Sequence, residues 1–135
     1  MIFDTLGVET SAHTQMVDLT GRLRAWAGER RLRDGVLTVF CPHTTAGITI
    51  NEGYDPDVAD DMLRTFARLV PHQGGYRHAE GNSDAHILST LVGASARVPV
   101  RDGTLDLGPW QAVFFCEFDG PRSRECRLCF EGEAG

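Results

Sequence analysis

The chain has 135 residues, 41% hydrophobic and 24% charged, which is the balance of one soluble globular domain and excludes a disordered or low-complexity segment. Nineteen acids against thirteen bases give a net charge of −6, so the basic stripe of a nucleic-acid-binding module is absent. No apolar run approaches the ~20 residues of a transmembrane helix, and Met1 to Thr5 show no basic start leading into an apolar run, so a cytoplasmic protein without nucleic-acid or membrane partners is expected.

All thirteen bases are arginine. Without lysine, Schiff-base chemistry, a Walker-type lysine and a lysine general base are excluded. Arginine is the better bidentate clamp for phosphate, although a GC-rich genome produces the same bias.

In chain order, residues 2–10 read as a strand. Asp18-Leu19-Thr20 offers an N-cap, and Leu19, Leu23, Trp26 and Ala27 recur at helical spacing up to Asp34-Gly35, which reads as the helix stop. Val36 to Phe40 is a buried strand; Pro42 interrupts it, and Ala46 to Asn51 resumes an extended pattern. Asp55-Pro56 caps a second helix with the stripe Val58, Met62, Phe66, Leu69 and Val70. A polar, glycine-rich loop, His72 to Asn82, leads to a third helix that carries Ile87, Leu88, Leu91 and Val92 and closes at Gly93. Strands follow at 95–100, 104–107 and 111–118, with a turn at Asp102-Gly103, and after a second turn from Asp119 to Arg122 a last strand runs to Phe130. The order β-α-β-β-α-α-β-β-β-β predicts one α+β domain over residues 1–135, with three helices on a mostly antiparallel sheet. Regular β-α alternation and a G-x-G-x-x-G are missing, which argues against a doubly wound fold. Cys126 and Cys129 have C-x-x-C spacing, but positions three apart on a strand face opposite ways, so all four cysteines read as packed, reduced thiols.

Residue types suited to catalysis concentrate in three segments: Pro42 to Gly47, Arg77 to His86, and Gly108 to Gln111 with Glu117 to Arg122. His43, His78 and His86 lie in the first two. Three neutral imidazoles with an open position describe a catalytic zinc site, but their spacing alone is that of separate surface or hydrogen-bonding histidines, since nothing local fixes a ligand geometry. His13 and His72 read as exposed loop residues. Of the acids around the second helix, Asp55, Asp57, Asp60 and Asp61 suit its N-terminus electrostatically. Glu52 precedes the helix and is a candidate general acid/base or partner of a histidine. The glycine loop before the third helix suits an anion, with Arg77, Arg122 and Arg124 as clamps. Trp110, taken alone, reads as a buried residue packing the core.

Taken together, His43-Thr-Thr-Ala-Gly47, Asn51-Glu52, Asp55-Pro56-Asp57, Arg77-His78-x-Glu80-Gly-Asn82-x-Asp84-Ala-His86, Gly108-x-Trp110-Gln111 and Glu117-Phe-Asp-Gly-Pro-Arg122 resemble the YjbQ family (UPF0047) over nearly the whole chain. The resemblance implies a compact α+β homotrimer with the histidine segments near subunit contacts. It also implies a thiamine-phosphate-synthase-like activity, joining hydroxymethylpyrimidine diphosphate to thiazole phosphate with release of pyrophosphate. Carried over position by position, it implies His43, His78 and His86 as ligands of a divalent metal, zinc or magnesium. Glu52, His78, Asp84 and His86 would be catalytic, and Arg77, Asn82, Trp110 and Arg122 would contact the small-molecule substrate. Pro109 stands where the family has threonine, and Leu88 where a lysine often follows the last histidine. A metal-dependent hydrolase or lyase on another phosphorylated or heterocyclic metabolite, and a non-enzymatic metal- or metabolite-binding trimer, are the alternatives.

Overall fold

The computed structural model describes residues 1–135 as eight strands and three helices. Strands β1 (Ile2–Glu9), β3 (Leu32–Phe40), β5 (Ser95–Arg101), β6 (Thr104–Leu105) and β8 (Ser123–Ala134) form one sheet in the order β1-β8-β3-β5-β6. Strands β2 (Gln15–Asp18), β4 (Ala46–Glu52) and β7 (Gln111–Glu117) form a second, in the order β2-β7-β4. Every pairing is antiparallel. The expected α+β class therefore holds, with the strands divided between two sheets. None of the helices is long and apolar enough to cross a membrane.

The division follows from β7, whose residues from Ala112 onward are all buried. Val113 and Phe115 point into the larger core with Leu37, Val39, Leu128 and Phe130 of the five-stranded sheet. Ala112, Phe114 and Cys116 point the other way, into a second core with Val70, Ala85, Leu88 and Phe118. Alternate residues of a strand face opposite sides, so an uninterrupted apolar run is what a strand covered on both faces requires. Helix α1 (Thr20–Glu29) adds Leu23, Trp26 and Ala27 to the larger core. The smaller core is covered by α2 (Pro56–Leu69) and α3 (Ser83–Val92). Asp55 caps α2 as expected, its Oδ1 accepting the Asp57 N–H at 2.9 Å with Pro56 in the first turn. The predicted stripe of α2 is only half-buried, and its Leu69 lies exposed.

Four sequence expectations shift. Helix α1 ends at Glu29, not at Asp34-Gly35, because the chain reverses through Arg31 at φ +51°. Asp34-Gly35 instead lies within β3, at an irregularity in its pairing with β8. A Cβ on Gly35 would fall 2.2 Å from the Glu131 carbonyl oxygen, so close approach of two strands, not a helix stop, requires glycine there. Strand β8 continues past Phe130 to Ala134, and β6 ends at Leu105 rather than 107. The fourth is β2, a four-residue strand in a stretch read as loop. On β8, Cys126 is buried and Cys129 half-buried on the other face, so the two thiols diverge as expected.

Candidate functional site

Helix α3 builds the site by packing against β4. Gly47 permits this: a Cβ there would lie 2.6 Å from the Gly93 carbonyl oxygen at the end of α3. The Ser89 hydroxyl donates to the Ala46 carbonyl at 2.6 Å, and the Ile48 N–H donates to that of Gly93 at 3.1 Å. Between the helix and the β3–β4 connection lies an open depression of about 520 Å³ lined by His43, Thr44, His86, Ser89 and Thr90. His86 also borders a neighbouring depression lined by Tyr76, Arg77, His78, Ser83 and Ile87. The two make one trough along α3. In it the His78 and His86 rings meet edge to face, 5.4 Å between centroids at 89°. Arg77 lines the trough and forms no ion pair with an acid of the chain, unlike Arg122 and Arg124.

His43 is held by strand β8. Its Nε2 lies 3.0 Å from the Glu125 N–H nitrogen and 3.1 Å from the Glu125 carbonyl oxygen. Burial, helped by the Arg124 guanidinium, pushes this imidazole below its usual range, so it is neutral at pH 7. With Nε2 accepting from Glu125, Nδ1 carries the proton; with Nε2–H donating, Nδ1 is a free base. Either tautomer has a partner on the strand.

The other residues expected at the site are elsewhere. Glu52 ends β4, whereas His43 precedes its start, and six residues of strand at ~3.4 Å each separate those ends by about 20 Å. Its Oε2 accepts the N–H groups of Tyr54 at 2.7 Å and Asp55 at 3.2 Å, which secures the turn into α2. Trp110 is neither a core residue nor near the histidines. It is 58% exposed and meets the 78%-exposed Tyr54 edge to face at 5.2 Å. Asn82 donates from Nδ2 to Asp119 Oδ2 at 2.9 Å, and Arg122 donates to the same oxygen at 2.9 Å, so both are engaged at the β7–β8 turn rather than in the trough. Burial opposes ionisation of Asp119, but these two donors outweigh it and hold the carboxyl below the usual range. Arg124, expected as an anion clamp, is buried: it donates from Nε to Glu117 Oε1 at 2.9 Å and from its terminal nitrogen to Glu117 Oε2 and, at 2.8 Å, to Thr45 Oγ1. Burial would raise the Glu117 carboxyl, yet Arg124, the Thr10 hydroxyl and the Asp119 N–H together hold it below its usual range.

Nor does the expected metal set assemble within one chain. His43, His78 and His86 do not place three donor atoms within reach of one ion. The three-residue group that does is His13, His72 and Asp84, whose donor atoms lie within 4.8 Å of one another. Asp84 is accordingly not beside His86; its Oδ2 is 3.1 Å from His72 Nδ1, on the side of α3 that faces the smaller core. His13 is brought there by the β2–β7 pairing and by the Gly120 N–H, which donates to its carbonyl at 3.0 Å. No local spacing announces this group, since its members are 59 and 12 positions apart. The departures from the family motif are also accounted for. Leu88 is buried in the smaller core, where a lysine would be desolvated. Pro109 sits in a turn still closed by the Gln111 N–H on the Gly108 carbonyl at 3.1 Å.

A single α+β domain of two antiparallel sheets, with an imidazole-lined trough beside its last helix, defines the class. The chain belongs to the UPF0047 family of YjbQ-like proteins, whose family model matches residues 4–133. It is 48% identical over 129 residues to the UPF0047 protein YugU of Bacillus subtilis, covering 95% of this chain and 98% of that one. A UPF0047 protein of Methanocaldococcus jannaschii is 46% identical over 118 residues, covering 87% and 86%. Among solved structures, a hypothetical protein of Aeropyrum pernix superposes with a TM-score of 0.94 at 35% identity, covering 98% of this chain and 100% of that chain. A YjbQ/UPF0047 protein of Clostridium acetobutylicum gives 0.92 at 44% identity, covering 95% and 99%.

Proposed function

We propose that the chain is an enzyme acting on a phosphorylated small molecule in the α3 trough, and specifically a thiamine-phosphate-synthase-like transferase. The observation that carries this reading is the His78–His86 ring pair beside an arginine with no acidic partner, in a trough that His43 also lines. In the transfer, the thiazole nitrogen lone pair forms a C–N bond to the pyrimidine methylene as the C–O bond to diphosphate breaks, and pyrophosphate leaves. The attacking nitrogen carries no proton, so the chemical demand is charge neutralisation at the leaving group, not a general base. Arg77 and the imidazole N–H groups of His78 and His86 supply donors for it. Because His43, His78 and His86 do not fit one ion within a chain, no step is routed through a metal there.

The same reading includes the homotrimer. A cyclic trimer needs two different, complementary patches per chain. Exposed Tyr54 and Trp110 at the Glu52 end, and exposed Ile87 and Leu91 on α3 beside the trough, supply two apolar patches of that kind. Their contact would bring Glu52 and Trp110 of one chain toward the histidines of the next, restoring the residues that a single chain keeps apart. Light scattering should give about 44 kDa for three 14.8 kDa chains, and Trp110→Glu should give monomers. The activity is tested by pyrophosphate release from hydroxymethylpyrimidine diphosphate and thiazole phosphate. His78→Ala, His86→Ala and Arg77→Ala should each lower it by about a hundredfold, the effect of removing one charge-stabilising donor. Wild-type turnover in all three would transfer the case to a non-enzymatic binding trimer.

A further inference from the structure

We infer a second, separate site in this chain: a binding site for one divalent transition-metal ion, zinc in type, formed by His13, His72 and Asp84. It is independent of the transferase reading, sharing no residue with the histidine trough. His13 comes from the β1–β2 connection, His72 from the α2–α3 connection and Asp84 from the first turn of α3. Their donor atoms lie within 4.8 Å of one another, with His72 Nδ1 and Asp84 Oδ2 at 3.1 Å and the two imidazole rings edge to face at 5.4 Å. Ligands about 2 Å from a tetrahedral zinc stand roughly 3.3 Å apart. Small rotations of two exposed imidazoles close the remaining gap.

A second observation points to the same place. Asp84 is only 6% exposed, and its Oδ1 is buried without any hydrogen-bond partner. It lines a cavity of about 180 Å³ whose other walls include His13, His72, Phe66, Leu88 and Phe118. A carboxylate oxygen left bare among apolar side chains is what a cation would satisfy. Two imidazoles with one carboxylate select a borderline ion such as zinc, nickel or cobalt over magnesium, which prefers an all-oxygen octahedron. The fourth position faces the cavity and takes a water. On binding, Nδ1 of His72 becomes a ligand atom, and the ion takes the place of the 3.1 Å contact between that nitrogen and Asp84 Oδ2. The ion ties together two connections and α3, three segments distant in sequence.

The test uses the full chain stripped with chelator and titrated separately with zinc and cobalt. One equivalent per chain should bind, with the intense visible absorption of tetrahedral cobalt and a rise in melting temperature on zinc addition. His13→Ala and His72→Ala should each weaken binding by at least about tenfold, the lower bound for disturbing even an outer partner of a metal ligand. Both are exposed, so these variants fold; Asp84→Asn is read only alongside them. His78→Ala/His86→Ala should bind the ion with unchanged affinity. Binding that is absent, that survives loss of both His13 and His72, or that disappears in His78→Ala/His86→Ala overturns the assignment. A trough variant that loses pyrophosphate release yet binds cobalt normally upholds this site whatever becomes of the transferase reading.

Discussion

Replacing Arg124 with alanine removes the cation that faces Glu117, a carboxylate with no exposed surface. Glu117 accepts four hydrogen bonds, two from Arg124, one from Thr10 and one from the Asp119 N–H, so the variant keeps half of its donors. Breaking a buried pair by removing one partner costs about 3–5 kcal/mol. The two remaining donors favour the lower end, and the orphaned Thr45 hydroxyl adds about 1 kcal/mol. The expected loss is about 4 kcal/mol, which at a urea slope of about 2 kcal/mol per molar lowers the midpoint by about 2 M. The assay is urea unfolding followed by fluorescence at one fixed protein concentration. The sign of its pH dependence is a second check. In the parent, the Glu117 carboxyl is held below its usual range, so its contribution is present above the unfolded value of ~4.3 and lost as pH falls through the folded one. Without Arg124, burial acts with less opposition and raises the folded value, so stability is lost as pH rises. The variant's deficit should therefore be smaller at pH 5 than at pH 8. A midpoint shift under about 0.5 M, or equal deficits at the two pH values, would refute this account of the pair.

Gly47→Ala should cost about 1–3 kcal/mol, the range for overpacking, because its Cβ would meet the backbone oxygen of Gly93 at 2.6 Å and push α3 off β4; an unchanged urea midpoint would count against that contact. Native protein should react with a thiol reagent at one cysteine at most, the half-exposed Cys129, and at all four after unfolding. Burial raises Cys41 and pushes Cys116 up to about 12 and Cys126 to about 11, so a second fast thiol in the native protein would contradict the packing. Asp4, which accepts from Trp26 Nε1 at 2.8 Å, from the Thr5 N–H and from Arg30, has its carboxyl lowered to about 2. Its stabilisation is present above the unfolded value of ~3.9 and lost as pH falls toward 2. The melting temperatures of parent and Asp4→Asn should thus differ at neutral pH and converge near pH 2.

The elements that could be read from sequence carry their own local signals. Asp55-Pro56 holds both a side-chain cap and a fixed φ, so α2 starts where the sequence puts it. The apolar run from Ala112 to Cys116 announces a strand, and the fold covers that strand on both sides. Strand β2 has no such signal: with four residues and half-buried Met16 and Val17, it exists because β7 offers it an edge. Asp34-Gly35 misleads for a related reason, since a glycine demanded by another strand's carbonyl looks the same in sequence as a glycine that ends a helix. His78 and His86 fall within one loop-helix segment, but their spacing of eight fixes no contact, and it is the fold of the loop back onto α3 that brings their rings together. The meeting of His13 and His72 was not legible either, because only tertiary pairing brings them to Asp84. Glu52 and Trp110 belong to motif segments separate from those of the histidines, and the pairing of the end of β4 with the start of β7 holds both at the far end of that sheet.

Strand β7 gives one leaf to each of the two cores, and this ties their fates together. Where two hydrophobic clusters have separate walls, one can loosen while the other persists. Here neither can open without uncovering the strand that the other needs, so partial unfolding through the middle of the molecule exposes both sets of side chains at once. The edges β1, β2 and β6 can fray singly. The amide protons along β7 should therefore exchange only through global unfolding, making this strand the slowest-exchanging segment of the chain.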